Sequence, residues 1–210
     1  MVDIHHFWWS FFVMLGLKQF LFAAAPRLNL SAAALYERQR ALVALGAIKA
    51  KPGRGPGSGA PFTAYNFAVI LISLLAARSL SEVDQYVVDL INAQPDGTLP
   101  RGAPRDMWQK LGKPTFASDL GKVLEGENTV WRHSQSRPRQ FLGVRVTRPW
   151  RAQIVDSPSG ARPITYYPDD SDKYMVEKSI NITAEVGHQM LSDLIAFTKS
   201  AVDLVEGDEE

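Results

Sequence analysis

Residues 30–62 read LSAAALYERQRALVALGAIKAKPGRGPGSGAPF, and the stretch changes character halfway along. Up to Ile48 it has the marks of a helix. Ser31 offers a side-chain oxygen to the free amides of a first turn, Ala34, Leu35, Leu42 and Leu45 predict an apolar face, and Gly46 supplies a stop. Tyr36, Glu37 and Arg40 fall on the other side. From Lys49 onward Lys49, Lys51 and Arg54 are followed by glycine or proline at almost every second position. Residues 47–50 predict a short strand, and the flexible cationic loop after it leads to a new helix from Thr63.

The residues before this stretch give the loop a context. Leu15, Leu17, Phe20 and Leu21, with Lys18 and Gln19 between them, predict an amphipathic first helix from Met14. Pro26-Arg27-Leu28-Asn29 then makes a turn of about four residues, so that two helices and a tight turn have the outline of a helix-turn-helix. In such a unit the second helix lies in the major groove, and a basic glycine-rich loop can act as a wing on phosphate or in a minor groove. Helical hairpins are common, and an ordinary solvated face accounts equally well for Tyr36 and Arg40. A linker also remains open for the loop, although both flanking helices are too apolar to stand alone. A nucleotide-binding P-loop is excluded, because no Lys-Ser/Thr pair follows the glycines.

Beyond the loop, Phe67, Val69, Ile70, Leu71, Ile72, Leu74 and Leu75 predict a short buried helix. Ser81 is expected to cap another, with Val83, Val87, Leu90 and Ile91 inward and Asp84 at the capping-box position. Four or five helices are thus expected by Ala93. The run from Leu30 to Ala77 resembles the N-terminal region of uncharacterised phage- and prophage-associated proteins of proteobacteria. The motifs that carry the resemblance are Leu45-Gly46-Ala47-Ile48, Gly53-Arg54-Gly55 and the apolar helix begun by Thr63. It spans roughly residues 14–93 and implies a helix-turn-helix DNA-binding regulator. The aromatic residues 7–12 depart from that pattern, and residues 1–13 are read as a possible extension.

Residues 94–114, with Pro95, Pro100 and Pro104, read as a linker or an extended wrap. Phe116, Leu120, Val123 and Leu124 mark a helix that Gly126 can end. Leu142, Val144 and Val146 alternate with Gly143, Arg145 and Thr147, as in a half-buried strand. Residues 152–155, 164–167 and 176–182 predict further strands. Thr183 is expected to begin a long helix with Val186, Met190, Leu194, Phe197, Ala201 and Leu204 inward.

Charge is segregated along the chain although the net is only +1. Residues 1–80 carry +6, 81–130 carry −3, 131–151 carry +6 without an acid, and 152–210 carry −8. Two basic blocks point to a polyanion partner. The second, WRHSQSRPRQFLGVRVTRPWR, would suit nucleic-acid backbone contact with stacking on Trp131, Phe141 and Trp150, but is read in preference as the wet face of a strand paired to the acidic tail or as an oligomer interface. Without cysteine there is no disulfide framework and no thiolate metal site, which makes a cytoplasmic location the expectation. The apolar stretch from His5 to Ala25 is interrupted by Ser10, Lys18 and Gln19, which argues against a membrane span. His5, His6, His133 and His188 lack a second metal ligand at useful spacing, and Asp169, Asp170 and Asp172 read as a solvated turn.

The sequence therefore predicts an α+β protein. Residues 1–93 form a helical, winged helix-turn-helix-like domain, 94–114 a linker, and 115–210 a small antiparallel sheet with a long terminal helix and an acidic tail. Ser31, Ala33, Tyr36, Arg40, Lys49, Lys51 and Arg54 are the expected contacts to double-stranded DNA. The chain is expected to be a homodimer or higher homo-oligomer with no catalytic residues, metal, cofactor or small-molecule ligand. A phage packaging protein resembling a small terminase subunit is the alternative, and a membrane-associated protein anchored by residues 5–25 is a second.

Overall fold

Caps and glycine stops set the first elements. The computed structural model describes residues 16–53, 59–95, 114–126, 140–148, 151–157, 164–167 and 182–206. Helix α1 is Leu17–Ala24 and α2 is Ala32–Ala44. The Ala34 amide donates to Ser31 Oγ at 3.1 Å, and Gly46 takes the left-handed turn, φ +74°, that closes α2. The connection from Ala25 to Ser31 is longer than the sequence suggested. It turns through Asn29 at φ +52°, a left-handed conformation that a short amide side chain tolerates.

Residues 47–50 do not form the expected strand. The amides of Ala47 and Ile48 fold back onto the Leu42 carbonyl, at 2.9 and 3.3 Å, and finish α2 instead of seeking a strand partner. Only Lys51 pairs, antiparallel to Gly59, through amide-to-carbonyl bonds of 2.9 and 2.8 Å. Arg54 lies outside the described residues. On its return the chain reaches α1, where the Leu17 amide donates to the Ala60 carbonyl at 2.9 Å.

Helix α3, Ala64–Ala76, begins with the Asn66 amide donating to Thr63 Oγ1 and is buried on nearly every side. Ser81 is not the next cap. The Arg78 amide donates to the Glu82 carboxylate at 2.8 Å and the Ser79 and Ser81 hydroxyls meet at 2.9 Å, which holds Leu80–Glu82 in a 3₁₀ turn. Asp84 caps α4, Gln85–Ile91, accepting from the Tyr86 amide at 3.0 Å.

Two short elements lead to the sheet: strand β1, Gln94–Pro95, and helix α5, Phe116–Leu124. The strands that follow are β2 (Gln140–Arg148), β3 (Arg151–Ser157), β4 (Ile164–Tyr167) and β5 (Ile182–Gly187). Their order is β1-β4-β3-β2-β5, with every neighbouring pair antiparallel. Thr183 thus belongs to a strand and not to the last helix. Thr183 to Val186 alternate as strongly as they fit a helix, and pairing along β2 from Gly143↔Gly187 to Arg148↔Ile182 decides between the two. Helix α6 consequently spans His188–Glu206 and buries Leu191, Leu194, Thr198 and Ala201, while Met190 is exposed.

One apolar cluster runs through both halves of the chain. The Phe20 ring of α1 stacks on Phe62 at 4.1 Å, meets Phe67 of α3 edge-on at 4.8 Å and lies 4.9 Å from Phe197 of α6. Val144, Val146, Ala152, Ile154, Tyr166 and Val186 form the sheet's side of the core. At Gly121 of α5, a Cβ would come within 3.2 Å of the Tyr65 backbone, so α5 crosses the first turn of α3 closely enough that a larger residue would push the two helices apart by a few tenths of an ångström. The ends of the expected linker are held. Gln94–Pro95 pairs with Tyr166–Tyr167, and the Phe116 amide donates to the Ala93 carbonyl at 2.8 Å; residues 96–113 are not among those described. Among the described residues no helix is long and apolar enough to cross a membrane.

Candidate functional site

Helix α2 turns its two sides to different surroundings. Its buried side is Leu35, Arg38, Gln39 and Leu42, whereas Ala34 and Leu45, expected inward, are exposed. The spacing of three, one and three residues between the buried positions is helical, but two of the four are polar and therefore do not register in an apolar pattern. Arg38 donates through Nη1 to the Ser73 carbonyl at 2.7 Å and so ties α2 to the last turn of α3.

The outer side carries the residues singled out for DNA. Ser31 spends its hydroxyl oxygen on the Ala34 amide, Ala33 is exposed, and Tyr36 is half-buried. Arg40 is 63% exposed and donates to both Glu37 carboxylate oxygens, at 3.1 and 3.2 Å. An exposed pair of this kind is worth no more than about 1 kcal/mol, so Arg40 can exchange Glu37 for another anion.

Helix α1 adds two residues that the sequence reading missed. The Lys18 ammonium sits 4.6 Å from the centre of the Tyr36 ring and 6.0 Å from that of Phe22, whose side chain is 51% exposed. Lys18 and Phe22 are four residues apart on the face of α1 opposite Leu17, Phe20, Leu21 and Ala24. That spacing was the available signal. Only packing of α1 on α2 brings the pair to Tyr36. Lys18 and Phe22 thus join Tyr36, and Glu37 and Arg40 lie on the outer side of the same helix as Tyr36.

Lys49 and Lys51 are exposed beyond the C-terminal turn of α2, about 20 Å along the helix from Ser31. Lys51 stands at the base of the loop that it closes with Gly59. Lys49 borders a cleft of about 420 Å³ together with Ala47, Tyr65, Asn66, Ile91 and Asn92. Partial burial pushes the Tyr65 phenol above its usual range.

Elsewhere two pairs of titratable residues are structural partners. Arg145 pairs across the strands with Glu185 at 2.8 Å, so this member of the arginine block faces an acid of β5. The Tyr166 hydroxyl donates to Asp119 Oδ2 at 2.8 Å inside the core, where burial raises the Asp119 carboxyl to about 6 despite the opposing effects of that bond and of Lys122. His188 is exposed at the start of α6. His133, Asp169, Asp170 and Asp172 lie outside the described residues. No group of three or more potential metal ligands occurs among those that are described. No family model, curated protein or solved structure matches the chain.

Proposed function

We propose that the chain is a sequence-specific double-stranded DNA-binding protein in which α1, the Ala25–Ser31 turn and α2 act as a helix-turn-helix. The observation that carries the reading is the placement of Lys18 between the Phe22 and Tyr36 rings, with the exposed Arg40 one turn along α2 from Tyr36. Cations over aromatic faces suit a polyanion whose sugar edges and bases offer apolar contact. Near the start of α2 the exposed side chains are small, Ser31, Ala33 and Ala34, which lets a helix N-terminus come close to a groove floor. Tyr36 and Arg40, one and two turns further on, would reach base edges or phosphates. The loop closed by Lys51 and Gly59 would serve as the wing, with Lys49, Lys51 and Arg54 on the backbone. Glu37 opposes phosphate, and in this reading it accepts from cytosine or restricts the sequences tolerated. In this reading the chain acts as a transcriptional regulator of phage type, a homodimer in the cytoplasm.

The test is binding of fluorescent duplex DNA over about 50 to 200 mM salt, followed by selection from a random pool. Steep salt dependence and an enriched two-fold symmetric motif are expected. Lys18→Ala and Lys51→Ala should each lower the salt slope by about one, while Arg40→Ala should also relax preference at one base pair, by about 1–3 kcal/mol. Absence of binding at low salt, or a triple variant that binds as well as the parent, would overturn the reading. Native mass separates a dimeric regulator from a packaging ring of many subunits.

A further inference from the structure

The cleft lies past the end of α2, at Gly46 and Ala47, and Lys49 is the residue it shares with the proposed duplex contacts. Its floor is apolar, with Ile91 buried and Ala47 and Val88 half-buried. One wall is Tyr65, 39% exposed, in the first turn of α3. Two carboxamides flank it. Asn66 is nearly buried and donates one N–H to the Pro61 carbonyl at 2.9 Å; Asn92, the C-cap of α4, is exposed and donates to the Val88 carbonyl at 2.9 Å. Each amide group keeps hydrogen-bonding capacity beyond that single bond. Lys49, which is exposed, completes the lining, and no carboxylate lines the cleft among the described residues.

We propose that this cleft is a binding site for one nucleotide unit, a planar heterocycle bearing a phosphate. A volume of about 420 Å³ is large enough for a ligand of this size. The Tyr65 ring and the apolar floor would take the two faces of the heterocycle. Carboxamides offer a donor and an acceptor side by side, the pattern that matches the edge of a base. The Lys49 ammonium would take the phosphate. The unit can come from a free mononucleotide or from an unpaired nucleotide of a strand, and both present the same chemistry.

The experiment follows amide resonances of the full chain during titration with adenosine 5′-monophosphate, adenosine, inorganic phosphate and a single-stranded oligonucleotide. For a free nucleotide, the monophosphate should move the Tyr65, Asn66 and Asn92 signals with saturation below about 1 mM, and adenosine and phosphate should each bind at least about tenfold more weakly. Lys49→Gln should remove most of the advantage of the monophosphate over adenosine. If the oligonucleotide alone moves the same signals, and Lys49→Gln abolishes the effect, the ligand is a nucleotide within a strand. No movement of these signals with any of the four overturns the proposal. Val88→Phe, which fills the cleft, and Asn92→Ala should lose the response yet bind duplex DNA like the parent. Loss of duplex binding in both folded variants would show that the cleft is not a separate site and overturn it.

Discussion

Each side of α2 carries an arginine, and the two arginines have opposite roles. Arg38 and Arg40 stand two residues apart. Arg38 is buried on a backbone carbonyl of α3, and Arg40 is out in solvent beside Glu37. The first arginine is part of the framework, and the second is available to a partner. An arginine's meaning is thus set by the helical phase in which it falls and by what packs against that phase, not by its charge.

This contrast can be broken from the inside or sharpened from the outside. The largest effect is expected at Leu42, fully buried on the inner side, where Leu42→Ala should cost about 3 kcal/mol in urea unfolding. Salt-dependent DNA binding by the folded fraction should stay as it was.

A second buried charged group, Asp119, extends the comparison to α5. Its folded-state carboxyl titrates near 6 against an ordinary 3.8, so between these values the folded chain holds a proton that the unfolded chain has released. Stability should therefore fall as pH rises through that window, by up to about 3 kcal/mol. Asp119→Asn keeps an oxygen to accept from Tyr166 and has no proton to lose. It should flatten the profile and melt above the parent at pH 7, and a parent that gains stability from pH 4 to 7 while the variant does not would refute this assignment.

Arg38→Ala comes next. It removes a charge-assisted bond of 2.7 Å and the packing of the side-chain stem, and should cost about 2 kcal/mol. The smallest change in stability belongs to Arg40→Ala, within about 0.5 kcal/mol, because its pair with Glu37 is exposed. If unfolding midpoints gave Arg38→Ala and Arg40→Ala the same cost, the division of α2 into a structural and a free side would fail.

Much of the architecture was legible beforehand. Ser31, Thr63 and Gly46 mark helix ends because each solves a local hydrogen-bond or backbone problem, and Leu17, Phe20 and Leu21 in α1, like Leu35 and Leu42 in α2, repeat at helical intervals. Other features required the partner element. The 3₁₀ turn at Leu80–Glu82 arises from short-range hydroxyl and carboxylate bonds that compete with the helix Ser81 could have begun. The Thr183 segment satisfies both periods, and only the open edge of β2 settles it as a strand.

The candidate surface divides in the same way. Tyr36 and Arg40 were readable as the polar side of an amphipathic helix, whereas Lys18 and Phe22 joined them only when α1 packed on α2. What the sequence by itself determined about this protein is the mixed α+β class, the helix ends at Ser31, Gly46 and Thr63, the cationic glycine-rich loop and the absence of cysteine chemistry. Each of these depends on residues within a turn or a strand's length of one another. Tertiary structure alone decided the strand order, the burial of Arg38, the Tyr166–Asp119 bond and the meeting of Lys18 with Tyr36. These join residues distant in the chain, and whether a polar group lies inside or outside depends on the partner that satisfies it once water is gone.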